Sequence, residues 1–115
     1  FAVSVAEAWR RGGARAQVDV ASEGEFRSRL ANRRFQVIVG RFPRELYEDP
    51  LTWWHSSRAG GGGNPAGYTD PACDRLIERL EETFDAPSRG ALKGEIRAHL
   101  EREGVLIPLP SRAFP

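Results

Sequence analysis

Asp70-Pro71, followed by Cys73, Leu76, Ile77, Leu80 and Phe84, is the feature that most limits how this chain can fold. An aspartate can accept hydrogen bonds from exposed helical N–H groups, and a proline at the first helical position gives up a donor that has no intrahelical partner there. The apolar residues then recur at i, i+3, i+4, i+7 and i+11, which puts them on one helix face. A face of that kind must be buried. Asp85-Ala86-Pro87 breaks the pattern, and Ser88 reads as the cap of a second helix whose face carries Leu92, Ile96, His99 and Leu100 and which Gly104 closes. Two successive helices therefore organise the C-terminal half.

The N-terminal half reads differently. Phe1, Val5, Ala8 and Trp9 share one helix face, and Arg10 and Arg11 before Gly12-Gly13 place cations in a last turn that glycine stops. Residues 14–21 (ARAQVDVA) alternate, with Ala16, Val18 and Val20 on one side and Arg15, Gln17 and Asp19 on the other, the period of a strand with one buried face. Ser22 and Glu25 have the spacing of a capping box, with Phe26 and Leu30 as a narrow stripe behind it. FQVIVG (35–40) is short, β-branched and apolar, as expected of a central strand. Strand, helix and strand within residues 14–40 predict a parallel, right-handed βαβ unit. VLIPLP (105–110) contains Pro108 and Pro110, which cannot donate to a ladder, so it is expected as an edge strand or extended segment.

Bulk properties narrow the classes of function. At 115 residues one modest domain spanning 1–115 is expected, with a core that needs neither metal nor disulfide. Seventeen Lys and Arg against sixteen Asp and Glu leave a formal net charge of +1, so charge gives no sign of a nucleic-acid partner. The basic cluster Arg27, Arg29, Arg33 and Arg34 lies on an amphipathic helix, where it reads as a solvated face. Cys73 is the only cysteine, which excludes an internal disulfide. No stretch approaches the roughly 18 apolar residues of a membrane span. The chain is already in helical periodicity at FAVSVAEAW, as expected of a piece of a longer protein.

Several kinds of site chemistry have candidate residues in the chain. A phosphate-binding loop sets its glycines directly between a strand and a helix N-terminus, whereas Gly60–Gly63 is followed by Asn64-Pro65 and several further residues, and no Gly-Lys-Ser/Thr follows. The glycines read as a surface turn. His55 beside Ser56 and Ser57 lacks the G-x-S-x-G setting of a nucleophilic serine, and a separation above about 6 Å between His55 and either hydroxyl, with no acid behind it, would count against a hydrolase. His99 reads as a packing histidine. The two histidines and one cysteine, at 55, 99 and 73, have no metal-ligand spacing, and no cofactor is expected. Phe42, Tyr47, Trp53, Trp54 and Tyr68 crowd the longest segment without a clear period, in the place after a predicted parallel strand where α/β folds put ligands.

Several strings resemble the C-terminal lobe of the family-5 extracellular solute-binding proteins, the oligopeptide, dipeptide and nickel-binding components of ABC importers. They are FQVIVG (35–40), Tyr47-Glu48-Asp49-Pro50, His55-Ser56-Ser57, Asn64-Pro65-Ala66-Gly67-Tyr68-Thr69-Asp70-Pro71, Asp74-Arg75-Leu76-Ile77 and Val105-Leu106-Ile107-Pro108-Leu109. The likeness spans nearly the whole chain. It implies a periplasmic-binding-protein-like (type II) α/β lobe fragment: a βαβ unit, a long aromatic loop, two C-terminal helices and a final extended segment. It also implies a non-catalytic part of a longer transport protein, extracytoplasmic in the periplasm or lipid-anchored through a segment outside this one. Such a subunit closes two lobes on a peptide or other small solute and delivers it to a membrane permease.

The loop 41–54 is then the ligand-facing wall, with Arg41, Phe42, Arg44, Glu45 and Tyr47 as candidate contacts. Where peptide binders of the family show a tryptophan this chain has Arg41, and the aspartate that pairs with a peptide's amino group aligns near Leu46, one position from Glu45. Arg41 and Arg44 favour an anionic group instead. Two other classes stay open: a solute-binding-like sensor domain of a transcription regulator, and a small hydrolase using His55 with Ser56 or Ser57.

Overall fold

The computed structural model describes residues 2–61 and 63–109. Its described residues form six helices, α1 (Ala2–Arg11), α2 (Glu23–Ala31), α3 (Glu45–Glu48), α4 (Pro50–Trp54), α5 (Pro71–Glu81) and α6 (Ala86–Arg102), with a short 3-10 turn at Ser56–Arg58. Among them there is no strand, so the expected α/β class with its βαβ unit is overturned: the described chain is all-helical. The chain divides into two compact units, one containing residues 2–41 and the other Phe42–Leu109.

In the first unit, α1 ends as its sequence predicts. Gly13 takes a φ of +98°, donates to the Arg10 carbonyl, and lets Ala14 donate to the Trp9 carbonyl. That is the double hydrogen bond of a Schellman motif. The predicted apolar face is not a core: Ala6 is the helix's buried residue, while Ala8 and Trp9 are exposed and Phe1 lies outside the described residues. Ser22 caps α2 by accepting from the Glu25 N–H at 3.3 Å, but the other half of the capping box is missing, because the Glu25 carboxylate pairs with Arg29 instead.

Residues 14–21 and 35–40 have strand-like sequences and form no ladder. Val20 is 88% exposed and Val37 57% exposed. Alternation needs a neighbouring strand before it has any structural consequence, and a lone two-stranded pair is marginal in water. Here the charged residue of the first segment is used otherwise, Asp19 bonding Arg29 at 2.6 Å. For VLIPLP, expected as an edge strand or an extended segment, only the edge strand is overturned. Its described residues form no strand; Val105 and Leu106 pack against the core, Ile107 is exposed, and Pro110 lies outside the described residues.

The second unit holds the hydrophobic core: Leu46, Trp54, Cys73, Ile77, Leu80, Leu92, Ile96 and Leu100, all buried. Its centre is the antiparallel hairpin of α5 and α6. Asp70 accepts from the Ala72 N–H at 3.0 Å with Pro71 behind it, as predicted, and Cys73, Ile77 and Leu80 are fully buried. Phe84 does not continue the face; it is 89% exposed, since α5 has ended at Glu81 and the helical register no longer places residue 84. The start of α6 is also corrected: Asp85 is the cap, accepting from the Ser88 N–H at 3.0 Å, and Ser88 is already within the helix. Arg89 closes the hairpin by donating to the carbonyls of Leu80 (2.7 Å) and Thr83 (2.8 Å). Gly104, at φ +70°, ends α6 as expected.

Candidate functional site

The segment expected as an aromatic ligand loop is largely helical. Asp49 accepts from the Thr52 N–H at 3.3 Å and Pro50 follows it, so α4 starts on the same Asp-Pro device as α5. The Trp54 indole N–H donates to the Leu46 carbonyl at 2.8 Å, which ties α4 to α3 inside the core. Adjacent Trp53 and Trp54 diverge as they must: Trp54 is buried against Tyr68, while Trp53 is half-buried and meets Phe42 edge to face at 6.4 Å.

Four of the five predicted contact residues belong to the second unit. Phe42 is half-buried on Trp53. Tyr47 is half-buried on α3 with the Arg97 guanidinium 4.6 Å over its ring, a cation–π contact that covers one aromatic face. Arg44 and Glu45, at the start of α3, are exposed. Arg41 is exposed and belongs to the first unit. Beside them Lys93 pairs with Glu48 at 2.9 Å, and that contact holds the Glu48 carboxyl below its ordinary range.

Asn64, Tyr68 and Asp70 form a connected hydrogen-bond network with His99. Asn64, 1% exposed, is the piece that sequence reasoning passed over. Its amide donates to the carbonyls of His55 (3.1 Å) and Tyr68 (2.9 Å), and its oxygen accepts from the Tyr68 N–H (3.1 Å). The available signal was Asn-Pro just after a glycine run, a turn-forming pair whose amide can replace backbone partners. Tyr68 in turn donates its hydroxyl to Asp70 at 2.7 Å, and the His99 Nε2–H donates to the same carboxylate oxygen at 2.6 Å. The His99 contact, then the Tyr68 contact, hold the Asp70 carboxyl down at about 2. Burial, followed by the Asp70 charge, pushes the Tyr68 phenol up. The packing histidine of the sequence reading is therefore also a clip between the C-terminal end of α6 and the N-terminal cap of α5.

A second polar group lies along α5. Ser56 gives its backbone N–H (3.0 Å) and its hydroxyl to the two oxygens of Asp74. His55 accepts the Ser57 backbone N–H on Nδ1 at 3.1 Å and reaches Glu78 through Nε2 at 3.1 Å. Ser57 Oγ lies 2.8 Å from Nδ1. Ser57 Oγ is thus well within 6 Å of His55 with Glu78 behind the ring, so the condition that would count against a hydrolase is not met. One feature works against that chemistry. Imidazole Nδ1 has a single in-plane lone pair, and here a backbone amide shares it. Taking the serine proton would require that amide to let go.

Within the Gly60–Gly63 run, Gly60 and Gly63 sit in different surroundings. A Cβ at Gly60 would meet nothing within 4 Å, whereas at Gly63, with φ +125°, it would lie 2.4 Å from Thr52 Cγ2 and 3.1 Å from the Thr52 carbonyl. Gly63 is a close approach to α4. Burial pushes the Cys73 thiol up to about 12, helped by the Asp70 and Asp74 charges, which leaves it a packing group. Among the described residues, no cluster of three or more His, Cys, Asp or Glu could hold a metal ion, and no helix is long and apolar enough to cross a membrane. No protein-family profile, curated protein or solved structure matches this chain.

Proposed function

We propose that this chain is part of the solute-binding subunit of an ABC importer, a non-catalytic piece that helps enclose a peptide or other small solute. The reading rests on residues 42–109, where the resemblance falls on helices and turns; the strands it implied for residues 14–40 are not carried forward. One observation supports it. The resemblance-bearing residues Ser56, Asn64, Tyr68, Asp70 and Asp74 bond one another or the backbone beside them. A string whose polar groups are spent on local geometry marks a shared scaffold rather than a shared reaction, and a scaffold is what a binding subunit needs.

In this reading Arg44 and Glu45 supply the exposed charges, and Tyr47 and Phe42 an aromatic rim. The solute makes more contacts in the closed arrangement of the parent's two lobes than in the open one, and so shifts the population toward closure. The protein then acts outside the cytoplasm and hands its solute to a permease. The test is a thermal-shift screen of the full-length parent against peptides, sugars and nickel. Stabilisation by one class, reduced by Arg44→Ala with Glu45→Ala, is expected; no stabilisation by any class sinks the reading.

The Ser57–His55–Glu78 alignment favours a second reading, a serine hydrolase. Incubation of the chain with a fluorophosphonate separates the two. Covalent labelling at Ser57 that is lost in His55→Asn would replace the binding proposal, and an unlabelled chain removes the hydrolase.

A further inference from the structure

The lone pair that weakens His55 as a base gives it another capability. We propose that His55 is a proton-operated latch on the turn Ser56–Arg58: neutral imidazole caps the turn, and imidazolium releases it.

A backbone amide is only a donor, so the Ser57 N–H at 3.1 Å requires an unprotonated Nδ1, and the ring's proton is therefore on Nε2, facing the Glu78 carboxylate. A second proton on Nδ1 sets N–H against N–H. The ring cannot relieve this by swinging away. Its Nε2 is held by Glu78 at 3.1 Å with Asp74 at 3.9 Å, and its own carbonyl is held by the buried Asn64. The charged groups facing the ring from α5 are Asp74 and Glu78, both acidic; α4 carries no ionisable side chain, and the turn contributes only the exposed Arg58. The added proton strengthens the hold on Glu78, because that contact becomes an ion pair between imidazolium and carboxylate. The ring stays and the amide leaves.

What moves is bounded. Ser56 remains clamped to Asp74 by two hydrogen bonds, and Gly63 remains against Thr52. Between them, Ser57 to Gly61 lose the cap, while Ser57 Oγ, 2.8 Å from Nδ1, becomes the new acceptor for the ring. The segment that opens on protonation thus includes the first two glycines of the run.

Nitrogen NMR of the His55 ring, paired with amide exchange at Ser57 in the full 115-residue chain, tests it. At pH 8 the ring is expected as the Nε2–H tautomer with a protected Ser57 amide. As the ring titrates, the Ser57 protection factor, corrected for intrinsic exchange, falls about tenfold with the same midpoint. His55→Asn, which can still accept the amide but cannot titrate, is expected to hold protection constant. An Nδ1–H tautomer at pH 8, protection unchanged across the wild-type ring titration, or the same fall in His55→Asn overturns the latch. The wild-type measurement decides the matter even if the variant fails to fold.

Discussion

Helices α2 and α5 begin with the same device, an oxygen side chain accepting an early helical N–H, and differ in everything that follows. Ser22 caps α2, Arg27 pairs with Glu23 and Arg29 with Glu25, and no residue of the helix is buried. Asp70 caps α5, and Cys73, Ile77 and Leu80 behind it are fully buried. Caps and exposed ion pairs define where a helix starts and which rotamers it favours, but each contributes little, while tertiary burial of a face supplies most of a helix's stability. The same contrast holds for the two units. Residues 2–41 bury one alanine, and residues 42–109 hold the eight-residue core.

The strongest way to break this contrast is to empty the core. Ile77→Ala is expected to cost about 3 kcal/mol in urea unfolding, whereas Val37→Ala, at a half-exposed site, should stay within about 0.5 kcal/mol. Equal effects would mean that the first unit carries a core of its own.

Next in size is Gly63→Ala, which combines a positive φ with a clash against the Thr52 methyl and is expected to cost about 2 kcal/mol, measured by thermal unfolding. Gly60→Ala, with open space around it, should be near neutral. A neutral Gly63→Ala would restore the view of the run as a plain spacer.

Acid gives a smaller, signed effect. Asp70 is held at about 2 against an ordinary 3.8, so the unfolded chain takes up its proton first as pH falls. The stabilisation is complete above about pH 4 and is lost as pH drops through the range down to 2. For a carboxylate that is partly solvated the loss is about 1 to 2 kcal/mol. Asp70→Asn should flatten that part of the pH–stability curve; an unchanged slope would remove the His99 clip as its source.

The smallest expected effect lies in the first unit. Arg33 takes a φ of +55° just after α2, where its N–H reaches Leu30 and Arg34 reaches Arg29 in a Schellman pair. Gly13 and Gly104 fill the equivalent places after α1 and α6. Arg33→Gly should therefore stabilise α2 by about 0.5 to 1 kcal/mol, seen as raised helicity by circular dichroism. No gain would mean that the arginine side chain contributes more than its backbone loses.

Much of the second unit was legible because its signals are local. Asp70-Pro71, the α5 face through Leu80, the α6 face and Gly104 all act within one or two turns of themselves. Asp49-Pro50 carries the same signal as Asp70-Pro71 but lies inside the segment expected as a loop, because only a five-residue helix follows it. The predicted strands failed for the opposite reason. Alternation in residues 14–21 states which face would be buried, but pairing is a property of two segments, and nothing in either one supplies the other. Asn64 and the His55 tautomer were invisible for a similar cause: each depends on atoms brought together by the fold, from Tyr68, Ser57 and Glu78.

Cys73 has a practical corollary. A lone thiol, fully buried beneath α5 and driven to about 12, is silent toward alkylating reagents in the folded state and ordinary once exposed. The chain thus carries its own clock. The rate at which a maleimide reaches that sulfur reads how often the α5–α6 hairpin opens, without any engineered label and without a signal from the first forty residues.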